Sequence, residues 1–146
     1  MRKLKLIDFI RENENWREIL AGEPYFIKIT TDGKYTMFKY NQLCSDFNNE
    51  IVRECRGLIL DDAFTPVCVP FFKFGNYGES YCPEIDWNTA KVQEKIDGSL
   101  LKAYYHNGKW RIATNGMIDA YKADLSNDAR LGVNVPVKTF GELFDV

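Results

Sequence analysis

The stretch of this 146-residue sequence best equipped for chemistry is Glu94-Lys95-Ile96-Asp97-Gly98-Ser99-Leu100. It places a lysine between two carboxylates, with a glycine and a hydroxyl close behind. A lysine amine is nucleophilic only when deprotonated, and a neighbouring cation or partial desolvation moves its pKa toward working pH. Attack on the α-phosphorus of a nucleoside triphosphate would form the N–P bond of a lysyl phosphoramidate and expel pyrophosphate. That reaction needs cations around the phosphates and a metal ion to spread the developing charge. On a strand, Asp97 shares the face of Lys95, Glu94 points the other way, and Gly98 lets the backbone pass close to a ligand. The competing reading is an exposed hairpin with a solvated lysine, because Lys-x-Asp-Gly also arises by chance and Asp-Gly is a common turn.

Arg56, Lys73 and Arg111 are the distant cations available to such a site. Lys73 sits within Pro70-Phe71-Phe72-Lys73-Phe74-Gly75-Asn76-Tyr77, one cation among four aromatics. It either has an anionic partner or keeps its ammonium at the surface with only its stem covered.

The elements that would position these residues read as α+β, mainly antiparallel sheet with an N-terminal helix. Apolar residues from Leu6 to Leu20 recur at helical spacing, and Gly22 and Pro24 close that segment. Tyr25–Thr30 and Tyr35–Tyr40 flank Thr31-Asp32-Gly33-Lys34, a hairpin with one buried and one wetter face. After a polar loop from Gln42 to Glu50, Ile51–Leu60 reads as a strand. Asp61–Pro66 is a turn and Val67–Val69 resumes the sheet. The spacing predicts a strand over Ala90–Glu94 that delivers Lys95. A second hairpin pairs Leu100–Tyr105 with Lys109–Thr114 across His106-Asn107-Gly108, with His106 solvated. Asn115–Asp119 is a turn, Tyr121–Leu131 is a helix candidate, Gly132–Pro136 interrupts it, and Thr139 with Glu142 forms a capping pattern.

The bulk composition narrows the function. A chain of 45% hydrophobic and 27% charged residues is long enough for one domain with its own core, here residues 1–146. The formal net charge of -2 leaves any polyanion to a local cluster of cations. Cys44, Cys55, Cys68 and Cys82 form no CxxC pair and His106 is the one histidine, so no protein metal site is expected and the thiols are read as reduced. The early charges rule against a signal-peptide core, and no apolar run approaches membrane-spanning length, so a cytoplasmic location is expected.

Beyond the residues themselves, Glu94–Leu100 resembles the nucleotidyltransferase motif that carries the reactive lysine in covalent ligases and capping enzymes. The Ser-Leu continuation is similar to the phage-type, ATP-dependent RNA ligases of the tRNA-repair kind. Three further stretches resemble that family in the same order: Glu54-Cys55-Arg56-Gly57-Leu58-Ile59, Phe72-Lys73-Phe74-Gly75-Asn76 and Ala113-Thr114-Asn115-Gly116. The resemblance covers about residues 25 to 120.

The resemblance implies that Lys95 is the adenylated lysine. It places Arg56 and Lys73 on the nucleotide, with Gly57, Glu94, Ile96, Asp97, Gly98 and Asn115 lining the pocket. It further implies ATP and Mg²⁺ as cofactors and RNA ends, of tRNA-like kind, as substrates. Asn115 departs from the pattern, since the family has a basic residue there. The family's downstream motifs have no counterpart before Val146. The chain is therefore expected to be the N-terminal part of an adenylation domain whose site is completed by a C-terminal region or a second polypeptide. The rival readings are a DNA ligase or capping-type nucleotidyltransferase, and a non-catalytic nucleotide- or RNA-binding module.

Overall fold

The structure is a computed structural model and describes residues 3–125 and 137–145. Its middle layer is a four-stranded antiparallel sheet in the order β1 (Lys28–Asp32), β2 (Tyr35–Lys39), β3 (Arg56–Leu60) and β4 (Pro66–Cys68). Helices α1 (Lys5–Glu12), α2 (Trp16–Ala21) and α3 (Glu50–Glu54) cover one face. A separate hairpin, β5 (Leu101–His106) and β6 (Lys109–Thr114), covers the other. The expected α+β class with mainly antiparallel sheets and an N-terminal helix is what the chain adopts.

The period-two alternation of β2 and β3 divides the core. Phe38, Leu58 and Leu60 point toward the helices and pack with Leu6, Ile10, Trp16, Leu20 and Val52. Tyr35, Met37 and Ile59 point the other way and pack with Tyr104, Ala113, Ile118 and Cys68. The wetter face expected for the first hairpin is thus absent in β2, where Tyr35 to Phe38 are all buried. The residues that alternate with Tyr35 and Met37 are Thr36 and Phe38, and both are buried too, Phe38 in the helical cluster.

Both hairpin turns follow their residues. Gly33 carries the positive φ (57°) of the first. Asn107 (52°) and Gly108 (79°) supply the two left-handed residues of the second, which is the geometry an Asn-Gly turn favours. His106, expected to be solvated, is half-buried and shares a 3.0 Å hydrogen bond between its Nδ1 and the hydroxyl of Tyr35.

Other expectations are corrected. The N-terminal helix is broken in two, because the Asn13 side-chain amide donates to the carbonyl of Phe9 (2.8 Å) and α2 restarts at Trp16. The strand expected over Ile51–Leu60 begins as α3. Asn49 caps that helix by accepting from the Ile51 N–H, and only from Arg56 onward does the chain join the sheet. Glu54, at the end of α3, turns its buried carboxylate into the first turn of α1 and accepts the N–H groups of Lys5 (3.0 Å) and Leu6 (2.9 Å). A strand over Ile51–Leu60 would forgo that bond pair at a helix N-terminus, where a carboxylate is favoured.

The strand expected over Ala90–Glu94 is also absent. Residues 90–100 carry no regular secondary structure, with Val92 at 98% and Ile96 at 83% exposure. A strand needs a partner edge for its N–H and C=O groups, and none pairs with this segment among the described residues. The candidate helix from Tyr121 reduces, in the described part, to a 3₁₀ turn over Ala120–Lys122, and residues 126–136 lie outside the described residues. The capping pattern is present: the Thr139 side chain accepts from the Glu142 N–H, Glu142 reaches back, and α4 (Phe140–Phe144) follows.

Candidate functional site

The Arg56-Gly57 pair opens β3 on a bulge. Phe38 pairs with Leu58 and Lys39 with Arg56, so Gly57 is the extra residue, and its φ is +81°. A side chain there would collide with its surroundings: a Cβ would lie 2.5 Å from Lys102 Nζ and 3.0 Å from Asn115 Oδ1. Glycine therefore serves two needs at one position, the left-handed backbone and the close approach of β5 and the end of β6. The bulge also frees the Gly57 carbonyl, which accepts a 2.6 Å hydrogen bond from Lys102 Nζ.

In front of this bulge lies an open cavity of about 350 Å³ lined by Arg56, Gly98, Ser99, Leu100, Thr114, Asn115, Gly116 and Phe140. Chain segments remote in sequence meet there: the start of β3, the approach to β5, the end of β6 and the first residue of α4. The structure thus brings Arg56, Gly98 and Asn115 to one cavity, with Gly57 behind Asn115. The Asn115 side-chain oxygen is buried and has no hydrogen-bond partner among the described residues.

Lys73 stands beside this group rather than inside it. Its ammonium donates to the Phe74 carbonyl (3.1 Å) and lies 5.1 Å from the Phe47 ring centre and 5.5 Å from that of Tyr81. The Arg56 guanidinium in turn lies over the Phe74 ring at 4.9 Å. An aromatic box half covers Lys73, and cation–π attraction adds to the pull of the nearby Glu79 carboxylate, whose pKa the Lys73 charge helps to lower. Glu79 closes the loop behind it, accepting from the Asn76 N–H at 2.7 Å. Its hydrogen bonds to Tyr81 and Asn76 hold its carboxyl below the usual range.

Lys95 lies on the exposed segment. Its ammonium pairs with Asp97 Oδ1 at 2.8 Å, and the side chains are 70% and 94% exposed. The hydrogen bond and charge of Lys95 lower the pKa of Asp97. Glu94 and Ile96 are exposed as well. The nucleophile candidate and its two immediate neighbours are therefore not folded into the cavity, although Gly98, three residues on, lines it. Arg111, counted among the available cations, faces elsewhere, over the Tyr35 ring at 4.8 Å.

Sequence reasoning missed Lys102. It is 7% exposed, its pKa is pushed down to about 8 by burial, and the amine lies near Cys68 and Lys39. The signal was available in the alternation of β5, which puts Lys102 on the inward face with Tyr104. Among the described residues no group of three or more histidine, cysteine or acidic side chains could hold a metal ion. All four cysteines are free. No helix among the described residues is long and apolar enough to cross a membrane.

The fold and the cavity describe an α+β scaffold with Arg56, Gly98 and Asn115 gathered at the ends of its strands. Two curated viral proteins are similar to it in sequence. An "RNA ligase" of Rhodothermus phage RM378 is 33% identical over 137 residues, covering 77% of this chain and 30% of that protein. A "Putative bifunctional polynucleotide kinase/RNA ligase" of Autographa californica nuclear polyhedrosis virus is 34% identical over 102 residues, covering 62% of this chain and 15% of that protein. The chain spans about a third or less of the length of these relatives. No protein-family model matches it, and no solved structure matches it at a significant level. The chain is a homologue of proteins named RNA ligases, and its resemblance is to the phage-type RNA ligases.

Proposed function

We propose that this chain is the N-terminal part of the adenylation domain of an ATP-dependent RNA ligase, with Lys95 as the residue that takes AMP. The observation that carries the reading is the 33% identity to the phage RNA ligase over 137 residues, on a chain that also holds Arg56, Gly98 and Asn115 around one cavity. Deprotonated Lys95 would attack the α-phosphorus of ATP, forming an N–P bond as the bond to pyrophosphate breaks. AMP would then pass to an RNA 5′-phosphate, and a 3′-hydroxyl would displace it. Mg²⁺, when bound with the triphosphate, would neutralise charge on its oxygens, and Asp97, which pairs with Lys95 at 2.8 Å, would be the carboxylate at hand.

For this to happen Lys95 has to leave Asp97 and reach the cavity. The three-residue link to Gly98 spans at most about 10 Å, within reach of such a movement. Arg56 would meet the nucleotide, with Lys73 beside it across Phe74. With so few cations held near the triphosphate, self-adenylation of the chain alone is expected to be weak, and a C-terminal region or second polypeptide would complete the site. The RNA ends are expected to be tRNA-like.

The test is labelling with ATP radioactive at its α-phosphate. Low-level, acid-labile label lost in Lys95→Ala supports the reading, and label from GTP in preference to ATP points to a capping-type enzyme. The exposed Lys95–Asp97 pair favours a second reading, a nucleotide- or RNA-binding module without turnover. ATP retained without any covalent adduct, even when the C-terminal portion of a homologous ligase is supplied, would establish the module and sink the ligase reading.

A further inference from the structure

A second cavity, of about 430 Å³, opens at the opposite end of the β5–β6 hairpin. Its rim joins the turn of the β1–β2 hairpin to β6 and the 3₁₀ turn, and it is lined by Asp32, Lys34, Lys109, Arg111, Asp119 and Lys122, with Tyr35 at its base. Four cations thus face two carboxylates, in a chain whose overall charge is -2. One carboxylate, Asp32, is already engaged by Lys122 at 2.6 Å. Lys34 and Lys109 are exposed, and neither has an ion pair within 4 Å among the described residues.

The base of this cavity holds Arg111 against an aromatic ring. The Arg111 guanidinium lies 4.8 Å from the Tyr35 ring centre, and Lys34 Nζ approaches the same ring at 5.9 Å. The Tyr35 hydroxyl is anchored by His106. Arg111 Nε is buried and has no hydrogen-bond acceptor among the described residues. An unpaired donor of this kind costs about 1–3 kcal/mol, a cost removed when an anion supplies the acceptor. A guanidinium stacked on an aromatic ring keeps its outer N–H fork free for phosphate oxygens.

Taken with the ligase reading, on which this inference rests, the geometry points to a site for the phosphodiester backbone of single-stranded RNA, gripped by Lys34, Lys109 and Arg111. The distance fits such a role. From Lys109 to Asn115 is six residues of β6, about 20 Å at roughly 3.3 Å per residue. A strand lying across this cavity would therefore run several nucleotides beyond the cavity at Arg56 and Asn115. Cations spaced along a groove with an exposed aromatic, here Trp110 on the same cavity, are the usual footprint of sequence-tolerant single-strand binding.

Fluorescence anisotropy with a 5′-phosphorylated 12-nucleotide RNA tests the site on the intact chain. The Lys34→Ala/Lys109→Ala pair should weaken binding about tenfold and flatten the plot of log affinity against log salt by about 1.4, two single-strand phosphate contacts' worth. Lys5→Ala/Arg11→Ala, a charge-matched pair on the helical layer, should change affinity less than twofold. Arg111→Lys keeps the charge but removes the buried Nε donor, and should weaken RNA binding without altering the salt slope. Equal losses in both double variants, no binding by the parent chain, or full competition by millimolar inorganic phosphate would each overturn the proposal. Its failure is distinguishable from that of the ligase reading. Cavity-dependent RNA binding without label on Lys95 leaves this site standing alone, and label on Lys95 with RNA binding indifferent to Lys34 and Lys109 removes this site only.

Discussion

Lys102 on β5 donates a 2.6 Å hydrogen bond to the carbonyl of Gly57, 45 residues earlier on β3. This bond ties the hairpin layer to the central sheet at the bulge that carries Arg56, and it does so with a buried amine near Cys68 and Lys39. The same contact links the stability of the fold to the shape of the candidate site.

The first consequence is a pH dependence. Burial lowers the Lys102 pKa to about 8, against 10.5 for an ordinary lysine. Between those values the unfolded chain binds the proton and the folded chain does not, so stability contributed by this residue rises with pH through the window. Below about pH 8 both states carry the charge, and the full penalty of burying it applies. Urea unfolding of the parent and of Lys102→Met, compared at pH 7, 8, 9 and 10, should show the parent gaining on the variant by up to roughly 3 kcal/mol across the window. A constant difference would mean that Lys102 stays charged when folded.

Gly57→Ala meets two obstacles, the φ of +81° and the closeness of Lys102 Nζ and Asn115 Oδ1. The strained backbone alone costs on the order of 1–3 kcal/mol. A lowered urea midpoint is expected, while Gly33→Ala, where a Cβ meets nothing within 4 Å, should lose less despite its own positive φ. Equal losses would assign the whole effect to backbone strain and none to the packing of β5 against the bulge.

Asn115 is neutral, where the resemblance read from the sequence leads one to expect a basic residue, and its surroundings give a physical reason. Lys102 Nζ and Asn115 Oδ1 lie around the same point beside Gly57, and Lys39 Nζ lies 3.5 Å from where a Gly116 side chain would begin. A third ammonium would crowd two others. Thermal unfolding should show Asn115→Lys destabilised by roughly 1–3 kcal/mol, as for other like charges forced together in a partly buried site. Asn115→Asp should be tolerated better, because its carboxylate would accept from the neighbouring lysines.

Glu54 joins α3 to α1 through charge-assisted bonds to two helix-terminal N–H groups. Glu54→Gln keeps the shape and one acceptor but loses the charge, and should cost roughly 1–2 kcal/mol by denaturant unfolding.

The sequence by itself determined the elements whose causes are local. The Gly33 and Asn107-Gly108 turns, the pairing of the second hairpin and the Thr139–Glu142 cap all depend on residues within a few positions of one another, and each is present. The tertiary structure decided the rest. Whether Ile51–Glu54 became helix or strand depended on Asn49 and on the distant N-terminus of α1, which needed a carboxylate. Whether Ala90–Glu94 became a strand depended on a partner edge, which the described fold does not offer. The burial of Lys102 against Gly57, the separation of Arg111 from Arg56, and the meeting of Arg56, Gly98 and Asn115 around one cavity are contacts between segments tens of residues apart. Such contacts follow from how layers stack, and no local pattern encodes them.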